Sequence, residues 1–201
     1  GLMIAAMARA DRQLTGSPRR DEWRLAAIRA GEFARTALWR ADTRQLLRCY
    51  RAGAASIDAF CEDYACLTWG AIELFQLTAN GAWLDWAIDL TAVQTERFFD
   101  EVDGGWFSTT GTDPAVLLRL KEDYDGAEPA AGSVTVHNLI RLSQLTGDSK
   151  YLSRAQRTFE RYGPGLGQVV RVMPFMMANI ALWHGRRSEV VLVGKPGSPD
   201  L

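Results

Sequence analysis

Two acidic clusters contain the residue types that could carry out chemistry on a glycosidic bond. The first lies between Lys121 and Glu128 and includes Asp125 and the neighbouring Tyr124. In such a pair, one carboxyl group protonates the leaving oxygen, while the other activates water or attacks the sugar directly. We predict Asp125 and Glu128 as catalytic residues and Tyr124 as a substrate-binding residue.

The second cluster is Glu62-Asp63-Tyr64, at the predicted start of a helix. We predict Asp63 as a third catalytic residue and Tyr64 as a substrate-binding residue. A structural alternative stays open for both clusters. Asp125-Gly126 is also a turn sequence, and Asp63 is also a suitable first-turn acid for a helix.

Two further side chains extend the predicted substrate-binding set. Trp106 follows Asp103-Gly104-Gly105 and could stack against a sugar ring from a loop, whereas aromatic residues at helical spacing usually belong to a core. His137 could act as a general base or be a hydrogen-bonded helix residue. The two histidines and three cysteines show no metal-ligand spacing, so we predict neither a metal site nor a cofactor.

The elements that must position these residues are indicated by a repeated tripeptide. The sequence Gln-Leu-Thr occurs at Gln13–Thr15, Gln76–Thr78 and Gln144–Thr146, with starts 63 and 68 residues apart. Each copy ends an apolar segment and leads through a polar turn to an aromatic residue. A fixed period of this kind is typical of one supersecondary unit used repeatedly. We predict three helical hairpins, joined by longer loops.

Apolar periodicity gives approximate boundaries. Apolar residues recur at helical spacing in two segments, so we expect a helix over Asp21 to Arg40 and another over Gln168 to Trp183. The second helix is expected to be kinked at Pro174. Thr43 to Tyr50 and Trp106 to Thr109 are expected to be extended, and Ser133 to be an N-cap. A strand is expected over Glu189 to Val193.

The period also predicts an architecture. Six units of the observed length make a closed ring of hairpins, an (α/α)6 toroid, in roughly 390 residues. This chain has 201 residues, which suffices for three hairpins and one further helix. We therefore predict an all-α fold, half of such a toroid, with minor short strands. The predicted domain division is 1–187 for the helical array and 188–201 for a short strand and a loose tail.

Composition excludes several classes of protein. The formal charge is −1, with scattered lysines and arginines, so we expect no nucleic-acid partner. No apolar stretch reaches the length of about 18 residues that a membrane span needs, so we expect no membrane partner. Three cysteines without CxxC spacing are typical of free thiols in a reducing compartment, which favours a cytoplasmic location.

The run Glu122–Pro129, preceded by Asp103–Phe107, resembles the YyaL-type, spermatogenesis-associated family. The segments Gly1–Ile4, Glu62–Ala65 and Val190–Gly194 resemble the same family. That resemblance implies an N-terminal thioredoxin-like domain followed by a toroid similar to six-hairpin glycosidases. We expect this chain to match the C-terminal half of the toroid, without the thioredoxin-like domain.

These observations leave two hypotheses for function. The first is a carbohydrate-active-like domain, either a hydrolase or epimerase or a sugar-binding remnant, with a small-molecule sugar as ligand. The second is a non-catalytic helical scaffold that supports a thioredoxin-like redox domain. Whether the chain is an enzyme is left open, and activity of this segment alone is not expected. An open array also leaves apolar helix faces for self-association or for a missing N-terminal half.

Overall fold

The computed structural model describes residues 1–112, 114, 116–166 and 170–185, and its helices form two layers. Helices α1, α3, α5 and α7 pack side by side in chain order and form an inner layer. Helices α2, α4 and α6 lie against them as an outer layer. The predicted array of helical hairpins is thereby confirmed. The helices are α1 (Leu2–Gln13), α2 (Arg20–Phe33), α3 (Cys61–Thr78), α4 (Gly81–Phe98), α5 (Ala131–Thr146), α6 (Lys150–Leu166) and α7 (Pro174–His184).

The Gln-Leu-Thr copies lie at the ends of inner helices, as the repeat predicts. Thr78 and Thr146 close α3 and α5, and each hydroxyl donates to the carbonyl four residues earlier, at 2.8 and 2.7 Å. The side chains of Asn80 and Asp148 then accept hydrogen bonds from the first turns of α4 and α6. The repeated tripeptide therefore encodes the helix end, and the polar residue two positions later encodes the next helix start.

A small antiparallel sheet is inserted between α2 and α3. Its strands are β1 (Trp39–Arg40), β2 (Gln45–Arg51) and β3 (Ala54–Asp58), in the order β1-β2-β3. Leu47 pairs with Asp58 and Arg51 with Ala54. The turn between β2 and β3 contains Gly53 at φ +84°, a backbone conformation that suits glycine in tight hairpins. The extended segment expected near Thr43 to Tyr50 corresponds to β2.

Several predicted boundaries differ from the structure. The helix expected over Asp21 to Arg40 ends at Phe33 and continues as a π-helical segment, Ala34–Leu38, because the chain then pairs as β1 with β2. The segment Trp106 to Thr109 forms one isolated bridge with Phe99 rather than a strand. Ser133 is not an N-cap, because α5 already begins at Ala131.

At the C-terminal end, α7 begins at Pro174 after a 3-10 segment, Val170–Val172. The predicted kink is absent because proline occupies the first helical turn, where its missing N–H has no partner to lose. The strand expected over Glu189 to Val193, like the whole 188–201 segment, lies outside the described residues. None of the helices in the described part of the chain combines the length and apolar character of a bilayer span.

The core lies between the two helical layers. Helices α3 and α5 are buried on most sides because they are flanked by inner neighbours and covered by outer helices. Trp83 and Trp86 of α4 are the tryptophans that the outer layer contributes to this core. Burial of this kind, at about 25 cal/mol per Å², is the main source of stability in such an array.

An ion pair fixes the long loop that follows α4. The ammonium of Lys121 lies 2.6 Å from Asp100 Oδ2 and also donates to the carbonyl of Gly104. Both side chains are largely buried, with 10% and 12% of their surfaces exposed. The hydrogen bond from Lys121 lowers the pKa of Asp100 to about 2. The segment around Lys121 is therefore fixed to the residues that follow α4.

We expect the Asp100→Asn variant to lose about 1–2 kcal/mol of unfolding free energy at pH 7. Because the folded-state pKa is depressed, this stabilisation is complete above about pH 4 and is lost as the pH falls toward 2. Urea denaturation at pH 7, 5, 4 and 3 measures it. Asp103→Asn, at an exposed neighbour without an ion pair in the described chain, is the control. A wild-type advantage that stays constant down to pH 3 would contradict the linkage.

Candidate functional site

The N-terminal ends of α1 and α3, together with the loop before α5, surround a cleft of about 400 Å³. We call it the mouth cleft. The sheet closes one side of it. Its lining combines carboxylates, one arginine and apolar side chains, and consists of Gly1, Leu2, Met3, Ile4, Ala34, Leu38, Leu46, Leu47, Arg48, Glu62, Asp63, Cys66, Leu67 and Glu128. Two predicted catalytic residues, Asp63 and Glu128, are therefore brought together at one opening.

Asp63 is positioned by the first turn of α3. Its Oδ2 atom accepts a hydrogen bond from the Phe60 amide at 2.9 Å, which is the capping role that the sequence also allowed. The guanidinium of Arg48, from β2, lies 3.1 Å from the same oxygen and 2.7 Å from Glu62 Oε1. Asp63 is therefore held in one orientation at the wall of the cleft.

Burial raises the pKa of Asp63, and the neighbouring Glu62 acts in the same direction. The Phe60 amide and Arg48 oppose this shift by favouring the charged form. The net direction is upward, so Asp63 keeps its proton to a higher pH than a free aspartate. A carboxyl group with this property is suited to donate a proton.

Glu128 reaches the cleft from the loop before α5. Its side chain is exposed and makes no hydrogen bond or ion pair with any residue that the structure describes. The following Pro129 restricts the backbone at Glu128, since a residue before proline is disfavoured in the helical region. Glu128 thus offers an open carboxylate in the cleft that the partly buried Asp63 also lines.

The two thiols near the cleft are unsuited to nucleophilic chemistry. Burial raises the pKa of Cys66 to about 11 and that of Cys61 to about 12. Both side chains therefore remain protonated at neutral pH, and the reactive thiolate form is scarce. Among the described residues, no group of three or more His, Cys, Asp or Glu side chains could hold a metal ion.

Asp125, the third predicted catalytic residue, lies away from the cleft and has a structural role. Its Oδ1 accepts from the Ala130 amide at 2.8 Å, and its Oδ2 accepts from the amides of Phe175 and Met176 at 2.8 and 3.3 Å. Its own amide donates to the carbonyl of Val172. Because the side chain is buried and its oxygens are occupied by backbone amides, it is not open to a substrate in this structure.

Tyr64 and Trp106 are in the core rather than in the cleft. The Tyr64 hydroxyl accepts a hydrogen bond from the Leu46 amide at 3.1 Å and so fixes β2 to α3. The Trp106 indole donates to Thr158 Oγ1 at 3.1 Å and is 2% exposed. Neither ring presents a free face, so the predicted sugar-binding roles of these two residues are replaced by packing.

His137 and Tyr124 occupy two other places. The His137 ring on α5 lies 4.8 Å from that of Trp69 and 5.5 Å from that of Phe175. Burial lowers the pKa of His137 to about 4, so the ring is neutral at pH 7. Tyr124 is exposed on the loop beside Asp125 and does not line the mouth cleft.

Sequence reasoning missed two features of this region. Arg48 gave no local signal, because only the pairing of the sheet brings it to Glu62 and Asp63. A polar stripe on α3 could have been predicted from the sequence. Its members recur at alternating spacings of four and three residues, which places them on one helix face. The stripe consists of Glu62, Cys66, Trp69, Glu73 and Gln76.

Asp125→Asn is expected to lower the unfolding free energy by about 2 kcal/mol, because charge-assisted bonds to buried amides are lost or weakened. Thermal and urea denaturation measure the change. Asp123→Asn is the matched control, since this neighbouring carboxylate is exposed and unpaired within the described chain. Equal stability of the two variants would contradict the structural role of Asp125.

Comparisons with known proteins identify relatives by sequence and neighbours by fold. No family model matches the chain. Spermatogenesis-associated protein 20 from Rattus norvegicus is 30% identical over 185 residues, covering 87% of the chain. The Mus musculus protein of the same name is 29% identical over 210 residues, covering 100%. The chain spans about a quarter of the length of these relatives, 23% and 26%.

Two solved structures with a similar fold are named as glycoside hydrolases of family 76. An α-mannanase of glycoside hydrolase family 76 from Bacteroides thetaiotaomicron aligns with a TM-score of 0.57 at 16% identity. A family 76 mannosidase from the same organism aligns at 0.53 and 14%. The alignments cover 79% of this chain and 42% and 40% of those chains. The predicted half of an α/α toroid is confirmed as the fold.

Proposed function

Because this chain is a homologue of spermatogenesis-associated protein 20, of the YyaL-like family, and has a glycosidase-like toroidal fold, we propose that it binds a carbohydrate in the mouth cleft. The observation that supports this proposal most directly is that Asp63 and Glu128 line the same cleft. Most glycosidases act through two carboxyl groups that flank the scissile bond, and the mouth cleft presents two.

The two carboxyl groups have different environments, which favours different roles. Asp63, partly buried and held by Arg48 and the Phe60 amide, is the proposed proton donor to a leaving oxygen. Glu128, exposed and unpaired in the described chain, is the proposed base or nucleophile. In glycosidases, the acid and base roles of two carboxyl groups are assigned from the difference between their environments.

The ligand class that we propose to examine first is the mannosides. Two structural neighbours carry the names mannanase and mannosidase, and their identity to this chain is low. The mannoside is therefore a starting point for a panel that also contains glucosides and N-acetylglucosaminides.

A scaffold role is the second candidate, and a specific observation favours it. Asp125, Tyr64 and Trp106 have buried structural roles, so the cleft keeps only part of the predicted set. Under this alternative the carboxylates of the mouth cleft would serve helix capping and solubility alone. The proposed experiment separates the two candidates.

We expect saturation-transfer NMR to detect binding of a panel sugar to the wild-type chain, and Glu128→Gln to weaken it about fivefold without lowering the melting temperature. The reason is that Glu128 makes no hydrogen bond or ion pair with a described residue, so removing its charge should cost little stability. The matched control is Glu96→Gln, an exposed glutamate on α4. Absence of binding to every sugar, or equal loss in both variants, would favour the scaffold.

A further inference from the structure

A group of charged and aromatic side chains lies across three neighbouring inner helices, deeper along them than the mouth cleft. We call it the inner-wall cluster. It is made of Arg9 and Arg12 on α1, Trp69 and Glu73 on α3, and His137 and Arg141 on α5. Because these helices pack side by side, the cluster forms one continuous surface of the inner layer.

Glu73 is the centre of the cluster and its only described carboxylate partner for the arginines. The guanidinium of Arg12 forms an ion pair with Glu73 Oε2, and that of Arg9 lies 4.0 Å from Oε1. The Trp69 indole donates to Oε1 at 3.3 Å. Glu73 is 1% exposed, so its charge is already neutralised and enclosed by these contacts.

The arginines therefore exceed the available negative charge. Among the described residues, three guanidinium groups face one carboxylate, which leaves an excess of two positive charges. Arg141 lies close enough to Arg9, Arg12 and Glu73 for all three to affect its ionisation. Burial, the largest of these influences, lowers the pKa of Arg141. The pKa of His137 near 4 means that this ring adds no further charge at neutral pH.

Several donors and ring nitrogens in the cluster also have no partner. The half-buried guanidinium of Arg141 makes no hydrogen bond or salt bridge with a residue in the described ranges. The Nε atom of Arg12 and the Nε2 atom of His137 are buried without a hydrogen-bond partner. The two terminal nitrogens of Arg12 donate to Gln76 and Glu73. An unsatisfied buried polar group is costly, and an unpaired guanidinium more so. The cluster therefore has excess positive charge and hydrogen-bond donors without a described partner.

We propose that the inner-wall cluster binds an oxyanion, a carboxylate or phosphate group, through the guanidinium of Arg141, with the positive charge of Arg12 beside it. A guanidinium presents a planar fork of donors that matches two oxygens of such a group. One singly charged oxyanion would reduce the excess positive charge by half, and a doubly charged phosphate would neutralise it. Glu73 then acts as a positioning residue that holds Arg9 and Arg12 in place.

This site is separate from the mouth cleft, because none of its six residues lines that cleft. The polar stripe of α3 runs between the two, from Glu62 through Cys66 to Trp69 and Glu73. The oxyanion could belong to a free inorganic ion or to an acidic sugar. The proposal does not depend on sugar binding by Asp63 and Glu128, and either can fail alone.

The experiment is a titration of the 201-residue chain with inorganic phosphate, acetate, glucuronate and glucose at pH 7, at constant ionic strength. The readout is the NMR signals of the arginine Nε–Hε groups together with calorimetry. We expect shifts of Arg12 and Arg141 with at least one anion, a dissociation constant of the order of 1 mM, and no shift with glucose. Binding of phosphate but not of acetate would identify a phosphate site. Tighter binding of glucuronate than of acetate would identify an acidic sugar as the ligand.

The decisive variant is Arg141→Gln, which we expect to weaken anion binding about tenfold. Its melting temperature should stay equal or rise, since a half-buried unpaired cation is removed. Arg141→Lys, which keeps the charge without the fork, should show an intermediate affinity. Arg29→Gln, at an exposed arginine of the outer helix α2, is the matched control and should bind like the wild type.

Failure of every anion to shift Arg12 or Arg141 at 20-fold above the expected constant of about 1 mM would overturn the proposal. So would binding that Arg141→Gln and Arg29→Gln weaken equally, because that result indicates general charge attraction. Phosphate stabilises many proteins by exclusion from their surfaces. A rise in melting temperature therefore supports the proposal only if Arg141→Gln abolishes it.

Discussion

The hydrogen bonds of the buried Asp125 carboxylate are the interaction on which the rest of this structure depends most. They connect the amide at the start of α5 with two amides at the start of α7. These helices are separated in the chain by α6 and a further turn, so nothing local holds their ends together. A negative charge at two helix starts is also favoured by the positive ends of their dipoles. The position of Glu128 at the mouth cleft follows from this anchor three residues earlier.

The same physics explains why the acidic loop was only partly predictable. The sequence showed carboxylates and a tyrosine close together, which is compatible both with chemistry and with capping. Which carboxylate is buried depends on where α7 lies, and that contact joins residues fifty positions apart. Local spacing therefore predicted the presence of a functional loop but could not distinguish Asp125, which is enclosed, from Glu128, which is open.

The helical array was predictable for a different reason. Gln-Leu-Thr recurs because each of the copies at α3 and α5 performs the same local task, with a threonine hydroxyl ending a helix and a capping residue starting the next. Repetition makes such a local rule visible in one sequence. The β1–β3 insertion occurs once, and its position against α3 depends on the Tyr64 hydroxyl reaching the Leu46 amide. A contact that occurs once leaves no repeated pattern in the sequence from which it could be predicted.

The burial of Trp106 shows a further limit of sequence reasoning. An aromatic residue after two glycines is typical of an exposed loop, yet Gly104 and Gly105 adopt φ values of +72° and +78° and turn the chain back toward α6. A side chain at Gly104 would lie 2.6 Å from the carbonyl oxygen of Arg157, so the glycine permits a close approach of loop and helix. The glycines that placed Trp106 in a predicted loop are therefore what allows its side chain to be enclosed.

The polar stripe of α3 relates the mouth cleft to the inner wall. An inner helix packed between two neighbours and an outer layer has one side left for solvent or ligand, and polar residues on that side must satisfy one another or bind something. Toward the start of α3, Glu62 does so through Arg48, which also pairs with the neighbouring Asp63. Deeper along the helix, Glu73 is satisfied, but the arginines around it exceed it in number. The imbalance is thus confined to one end of a stripe that is otherwise neutralised. Because a fold gains nothing in stability from a half-buried guanidinium that lacks a described partner, the position of Arg141 beside Arg9 and Arg12 supports a ligand that completes the charge balance.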